Sequence, residues 1–200
     1  STNALTSSHD IKITDVDIGA SDSASAAAKA IAINTVSSST NVTASGDNLV
    51  TLDLNFSEAS TASSNISING NAINFSSVTN EADTITAINN ASIGDIIASS
   101  NSSGEVQLAS ASGADIVIAH AGTPGVFFDG HIDATGATIA VGSSKTFKGQ
   151  ILLTHTAGDV IKISGDDVGE LGLQAQASSS ASTPGSIISV STSSNATSAL

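Results

Sequence analysis

Apolar residues in this chain recur at two spacings, and the switches between them mark out the elements. Ile11, Ile13, Val16 and Ile18 flank Thr14-Asp15 and predict two short strands. Ser21-Asp22-Ser23 offers a helix start. The alanine-rich stretch from Ala24 to Val36 predicts a helix with Ala27, Ala30, Ile31 and Ile33 on its buried face. Asn41 to Ser45 reads as a strand, and past Gly46-Asp47-Asn48 the residues Val50, Leu52, Leu54 and Phe56 alternate. Further on, Ile66 and Ile68 face Ile73 and Phe75 across Asn69-Gly70, a pair suited to the positive-φ turn of a tight hairpin. Asn80 then offers a helix cap, and Ala82, Ile85, Ile88 and Ala91 share a helical face.

The pattern repeats. Residues 11–45 overlay residues 66–100 without a gap at an offset of 55, placing Ile11 on Ile66, Ile13 on Ile68, Ile18 on Ile73, Ala32-Ile33-Asn34 on Ala87-Ile88-Asn89, and Val42 on Ile97. A one-residue slip follows, where Val50 and Leu52 meet Val106 and Leu108. A second repeat has an offset of 45: Gly104, Val106, Leu108, Gly113, Ile116 and Ile118 recur as Gly149, Ile151, Leu153, Gly158, Ile161 and Ile163. Each of its copies predicts a hairpin of two alternating strands. Between the copies lie Pro124-Gly125, the apolar Val126-Phe127-Phe128 and a strand expected over Thr138 to Val141.

These elements predict an α+β fold, mainly β, with repeated strand–helix–strand units plus β-hairpins in two or three small lobes. The expected segments are a first strand–helix–strand unit over residues 1–57, a second over 58–122 and a β-rich lobe over 123–177. Residues 178–200 read as a linker. They include Ile187-Ile188-Ser-Val190 and a polar run into a helix start at Ala196 to Leu200.

Composition narrows the function classes. Aromatics make up 2% of the 200 residues, so the cores must be built from Ile, Val, Leu and Ala. The formal charge is −13, with five lysines and no arginine, which argues against nucleic acid and anionic membranes as partners. Without cysteine, neither disulfides nor thiolate metal sites are available. Methionine, including an initiator, is also missing, so a fragment or a processed chain is expected. No apolar run approaches the roughly 20 residues of a membrane span, and no signal-peptide pattern opens the chain. The abundance of Ser, Thr, Asn and Gly suggests an exposed, extracellular protein.

Ile66 to Phe75, Ala87 to Ser92 and Val106 to Ile118 resemble the central region of bacterial flagellin. The likeness is to the "IN" motif shared by flagellins and hook-associated proteins. Ala28 to Asn34 with Asn41 to Ser45 resembles a first copy, and the segment with Phe147, Gly149 and Leu153 resembles a part common in flagellin outer domains. Ser186 to Leu200 is similar to the lead into the C-terminal core helix. The terminal helices that polymerise flagellin have no counterpart in these residues. The resemblance implies variable, outward-facing (D2/D3-like) domains on the extracellular surface of the flagellar filament. It also implies neighbouring filament subunits as partners, met mainly through core domains, and O-linked glycans on exposed Ser or Thr.

Candidate chemistry is sparse. His9, His120, His131 and His155 fall in no H-E-x-x-H or i, i+4 pattern, although His120 and His131 flank one apolar loop. Gly142-Ser-Ser-Lys145-Thr only echoes a phosphate loop, and no G-x-S-x-G or S-x-x-K arrangement occurs. Asp15, Asp17 and Gly19 begin like a calcium loop without its remaining ligands, and Asp166-Asp167 with Glu170 reads as a solvated acidic turn ahead of a weak calcium site. Asn-x-Ser/Thr occurs at Asn41, Asn55, Asn65, Asn74, Asn90, Asn101 and Asn195, in several cases on strands expected to face a core. The expectation is a structural protein with no catalytic, cofactor or metal residues. The alternatives are an adhesin or a glycan- or surface-binding module with Val126–Phe128 as a contact loop, or part of a hook-associated protein. A hydrolase comes behind these, for want of a catalytic constellation.

Overall fold

The computed structural model describes residues 3–52, 54, 66–75, 77–121, 139, 142–172 and the backbone of 188–190. The chain divides into two compact units. The first takes residues up to Asp47, Ser112–Ala114 and residues from Lys148 on; the second takes Asn48–Ala111 and Asp115–Phe147.

The first unit opens with strands β1 (Lys12–Ile13) and β2 (Val16–Asp17), followed by helices α1 (Ala26–Asn34) and α2 (Ser37–Thr40). Strand β3 (Val42–Leu52) supplies its first half to this unit and its second half to the other. The second unit then holds β4 (Ile66–Ile68), β5 (Asn71–Ile73), α3 (Glu81–Asn90), β6 (Ile96–Ser100), β7 (Val106–Ser110), β8 (Ile116–His120) and β9 (Ser143–Phe147). The chain returns to the first unit as β10 (Gln150–His155), β11 (Ile163–Ser164) and β12 (Ile188–Val190), with a 3-10 turn at Val168–Leu171. All strand pairings described are antiparallel, and the fold is α+β, mainly β, as the alternating pattern predicts.

The two sequence offsets interlock in the registers. In the first unit Ile13 pairs with Ile163; adding 55 to the one and subtracting 45 from the other gives Ile68 and Ile118, which pair in the second unit. Past the helix the first offset falls to 54: Ala44 pairs with Leu153, and Ala98 with Leu108. The two units thus share the order hairpin, helix and three strands (β3, β10 and β11 in the first, β6, β7 and β8 in the second), and in sequence the second copy lies between Asp47 and Lys148, apart from Ser112–Ala114. The cores are separate. One gathers Val50, Ile66, Ile73, Phe75, Ile88 and Leu108, and the other Leu5, Ile11, Ile33, Val42, Leu153 and Leu171, with neighbours of the same unit in each.

Local chemistry explains the elements. Asn69 and Gly70 take φ 47° and 78°, so both turn residues have the positive φ that matches the twist of a two-residue hairpin. Thr14 and Asp15 hold the same turn at φ 51° and 63°, an unfavourable conformation for a β-branched residue. Asn80 caps α3 by accepting from the Asp83 amide at 3.0 Å, as expected. Helix α1 starts later than Ser21–Ser23 suggests, because Ser25 accepts from the Ala28 amide at 3.2 Å.

Several expectations change. The segments 104–118 and 149–163 do not form hairpins: β7 pairs with β3 and β6, whereas β8 pairs with β4 and β9. Val106, Leu108, Ile116 and Ile118 nevertheless enter one core, so the two strands part to line it from separate sheets. β10 and β11 part likewise, to β3 and to β1. Val50 and Leu52 are not equivalents of Val106 and Leu108 but their cross-strand partners, Val50 opposite Leu108 and Leu52 opposite Val106.

On α1, Ile31 is 65% exposed, and the buried face carries Lys29 with Ala30 and Ile33. The compact units also cut across the linear segments 1–57, 58–122 and 123–177. Within the last, Ser143–Phe147 pairs with β8 of the second unit, while Gln150–His155 pairs with β3 in the first. The expected strand at Thr138 to Val141 lies outside the described residues apart from buried Ile139. Pro124-Gly125 and the expected helix start at Ala196 to Leu200 lie outside them altogether.

Candidate functional site

The repeated Ile-Asn pair performs a defined task in each unit. Asn34, the last residue of α1, donates from Nδ2 to the Ala44 carbonyl at 2.8 Å and accepts at Oδ1 from the Ala44 amide at 2.7 Å. Asn89, near the end of α3, does the same to Ala98 at 3.0 and 2.8 Å. A side-chain amide has the same donor–acceptor pair as a peptide unit, so each asparagine extends the strand's hydrogen bonding with its own side chain. The signal for this clamp was the recurrence of Ala-Ile-Asn; its partner was hidden by spacing. Asn34 and Ala44 are 10 residues apart and Asn89 and Ala98 are 9, so the second unit lacks one residue there. Val42 therefore corresponds to buried Ile96, and Ile97 is 62% exposed.

A shallow groove of about 440 Å³ lies in the second unit, where Ala72 and Asn74 meet Asp83, Thr86, Ala87 and Asn90 of α3. Its polar lining is amide, hydroxyl and one carboxylate, set among Ala72, Val78, Ala87 and Ala91. Asp83 Oδ2 accepts from the Thr79 hydroxyl at 2.8 Å, the Thr79 amide at 3.0 Å and Asn80 Nδ2 at 2.9 Å. The Thr79 hydroxyl, then its amide, lower the Asp83 pKa below its ordinary 3.8. An ionised carboxylate already bonded to a helix cap is a poor general acid or base near neutrality. Such a groove can offer hydrogen bonds to a neutral polar molecule, and Asp83 itself serves the start of α3.

Among the described residues, His9, His120 and His155 sit apart on separate segments. His9 Nδ1 accepts from the Thr6 amide at 3.2 Å, and His155 Nδ1 from the Ala157 and Asp159 amides at 3.2 Å each, so both close local turns. His120 is buried on β8, and His131 lies outside the described residues, as does Val126–Phe128. Lys145, from the phosphate-loop echo, sits on β9 with its ammonium 4.9 Å from the centre of the Phe147 ring.

Of the acidic candidates, Asp15 and Asp17 are paired with lysines. Lys12 bridges Asp10 and Asp17, the latter at 3.0 Å, and Lys162 meets Asp15 at 2.8 Å. Hydrogen bonds to Asp10 and then Asp17 push the Lys12 pKa up to about 12, and the same lysine lowers Asp10 below 3.8. Asp167 Oδ2 accepts from the Asp10 amide at 2.9 Å, which ties the 166–170 turn to β1. Lys29, which no sequence pattern singled out, is buried with its ammonium donating to the Glu170 carbonyl at 2.6 Å. Among the described residues, no group of three or more His, Asp or Glu is placed to hold a metal ion. No described helix is long and apolar enough to cross a membrane.

Of the Asn-x-Ser/Thr positions, Asn41, Asn74 and Asn90 are exposed rather than facing a core. Asn101 closes a turn, its Oδ1 accepting from the Ser103 and Glu105 amides at 2.9 Å each. Asn55, Asn65 and Asn195 lie outside the described residues. No protein-family model matches this chain, and no curated protein matches it significantly.

Proposed function

We propose that these two units are surface-exposed outer domains of a bacterial flagellar filament subunit, with a structural role in display and motility and no turnover. The observation that carries this reading is the Ile-Asn pair, the motif on which the flagellin resemblance rests. It makes the same strand clamp twice, at Asn34–Ala44 and Asn89–Ala98. A net charge of −13 suits closely spaced copies on a filament, because like charge keeps them soluble. Subunit contacts fall mainly to helical core segments of the kind the resemblance implies, and exposed Ser and Thr are open to O-linked sugars.

Immunogold microscopy tests this. Antibodies raised against the purified chain are expected to decorate flagella of the source cells along their length. Label confined to the cell body would overturn the reading. The groove beside α3 gives the alternative, a glycan-binding module, a location. Saturable glycan binding by the purified chain, lost in Asn90→Leu, would favour it.

A further inference from the structure

Asn69-Gly70 is the only Asn-Gly pair in the chain, and both residues are exposed at the β4–β5 turn. Glycine has no side chain to shield its amide nitrogen, so such a pair is intrinsically prone to ring closure between that nitrogen and the asparagine side chain. A Cβ at Gly70 would meet nothing within 4 Å, which leaves the position open to water. The Asn69 side chain, however, is held at both its polar atoms. Its Oδ1 accepts from the Val117 amide at 2.7 Å and its Nδ2 donates to the Asp115 carbonyl at 3.0 Å. The Asn69 amide also donates to the Val117 carbonyl at 2.8 Å. These bonds hold the carboxamide against the start of β8.

We propose that Asn69 is a covalent modification site gated by the fold: it deamidates when the β4–β5 hairpin leaves β8 and is protected while docked. In the reaction the Gly70 nitrogen attacks Cγ of Asn69, the Cγ–Nδ2 bond breaks, and ammonia leaves with the proton lost by the Gly70 nitrogen. Water then opens the cyclic imide at either carbonyl, giving aspartate or isoaspartate and one further negative charge. No redox partner is needed.

The product cannot restore the docked state. A carboxylate at position 69 has no donor for the Asp115 carbonyl and places negative charge against it. The isoaspartate form also adds a backbone methylene in a turn whose register sets Ile66 opposite Ile73. Opening of this hairpin is thus recorded permanently in the second unit. The first unit has Thr14-Asp15 at the equivalent turn and lacks the reacting amide.

The test incubates the whole chain in mildly alkaline buffer, with and without urea, and follows residue 69 by peptide mass mapping. Conversion in urea is expected to exceed that of the folded chain by about ten-fold or more, since the folded rate follows the open population. Asn69→Gln should abolish conversion at position 69 in urea, a comparison that does not depend on folding. Equal rates at residue 69 with and without urea would overturn the proposal. So would conversion in urea that begins at another asparagine while Asn69 stays intact.

Discussion

Asn34 bonds to both backbone polar groups of Ala44, its Nδ2 and Oδ1 lying 2.8 and 2.7 Å from the carbonyl oxygen and the amide nitrogen. A side chain thereby ties the end of α1 to β3, and Asn89 ties α3 to β6 in the same way. Replacing Asn89 with Ala leaves a strand amide and carbonyl near the core without partners. The expected loss is about 2–3 kcal/mol in the second unit. Hydrogen exchange at the Ala98 amide should accelerate, while the Ala44 amide keeps its protection.

Thr14 stands where the second unit has Asn69, and the backbone bonds agree: Thr14 N to Lys162 O and Asn69 N to Val117 O are both 2.8 Å. Thr14 adds a β-branched residue at φ 51° and a buried hydroxyl with no hydrogen-bond partner. Thr14→Asn should relieve the backbone strain and supply an amide able to reach the Val160 carbonyl and the Lys162 amide. The expected gain is about 1 kcal/mol, read as a higher urea midpoint for the first unit.

Gly46, Gly113 and Gly149 bring three backbone segments of the first unit together. A Cβ on Gly113 would lie 2.6 Å from the Gly46 Cα, and one on Gly149 would lie 2.2 Å from the Gly113 carbonyl oxygen. Gly113→Ala combines this clash with φ 77° and should destabilise by about 2–4 kcal/mol. Gly70→Ala, at φ 78° with open space around it, should lose only about 1 kcal/mol. Urea midpoints of the two variants separate close packing from conformational strain.

An ion pair at Lys12 and Asp10 and the hydrogen bonds of Asp83 give stability a dependence on pH. Lys12 is raised from 10.5 to about 12, so its contribution is full below its unfolded value and disappears as pH rises through about 12. Asp10 and Asp83 are lowered from 3.8, so theirs are present above that value and lost as pH falls through the depressed ones. Asp83→Asn should therefore weaken the second unit at neutral pH, and the difference from wild type should shrink in acid. A difference that stays constant down the acid limb would show that the Asp83 charge contributes nothing.

Much of this architecture is legible along the chain. Period-two spacing places Val106, Leu108, Ile116 and Ile118 in a core, and Asn69-Gly70 and Asn80 specify a turn and a cap through the conformations and bonds their own side chains allow. The offsets of 55 and 45 are likewise visible before any fold is known. Tertiary structure decided what these local rules leave open. Alternation shows that β7 and β8 each bury one face, but strands joined by a short loop can pair or part with the same pattern. Here they part, because their edges bond to β3 and β4 from distant sequence. Loss of one residue between Asn89 and Ala98 reverses which of Ile96 and Ile97 is buried, and the hydrogen bonds of Asn89 locate that change. Sequence determined the elements because their periods are local. The pairings needed the fold because backbone hydrogen-bonding groups are alike at every residue and carry no partner's name.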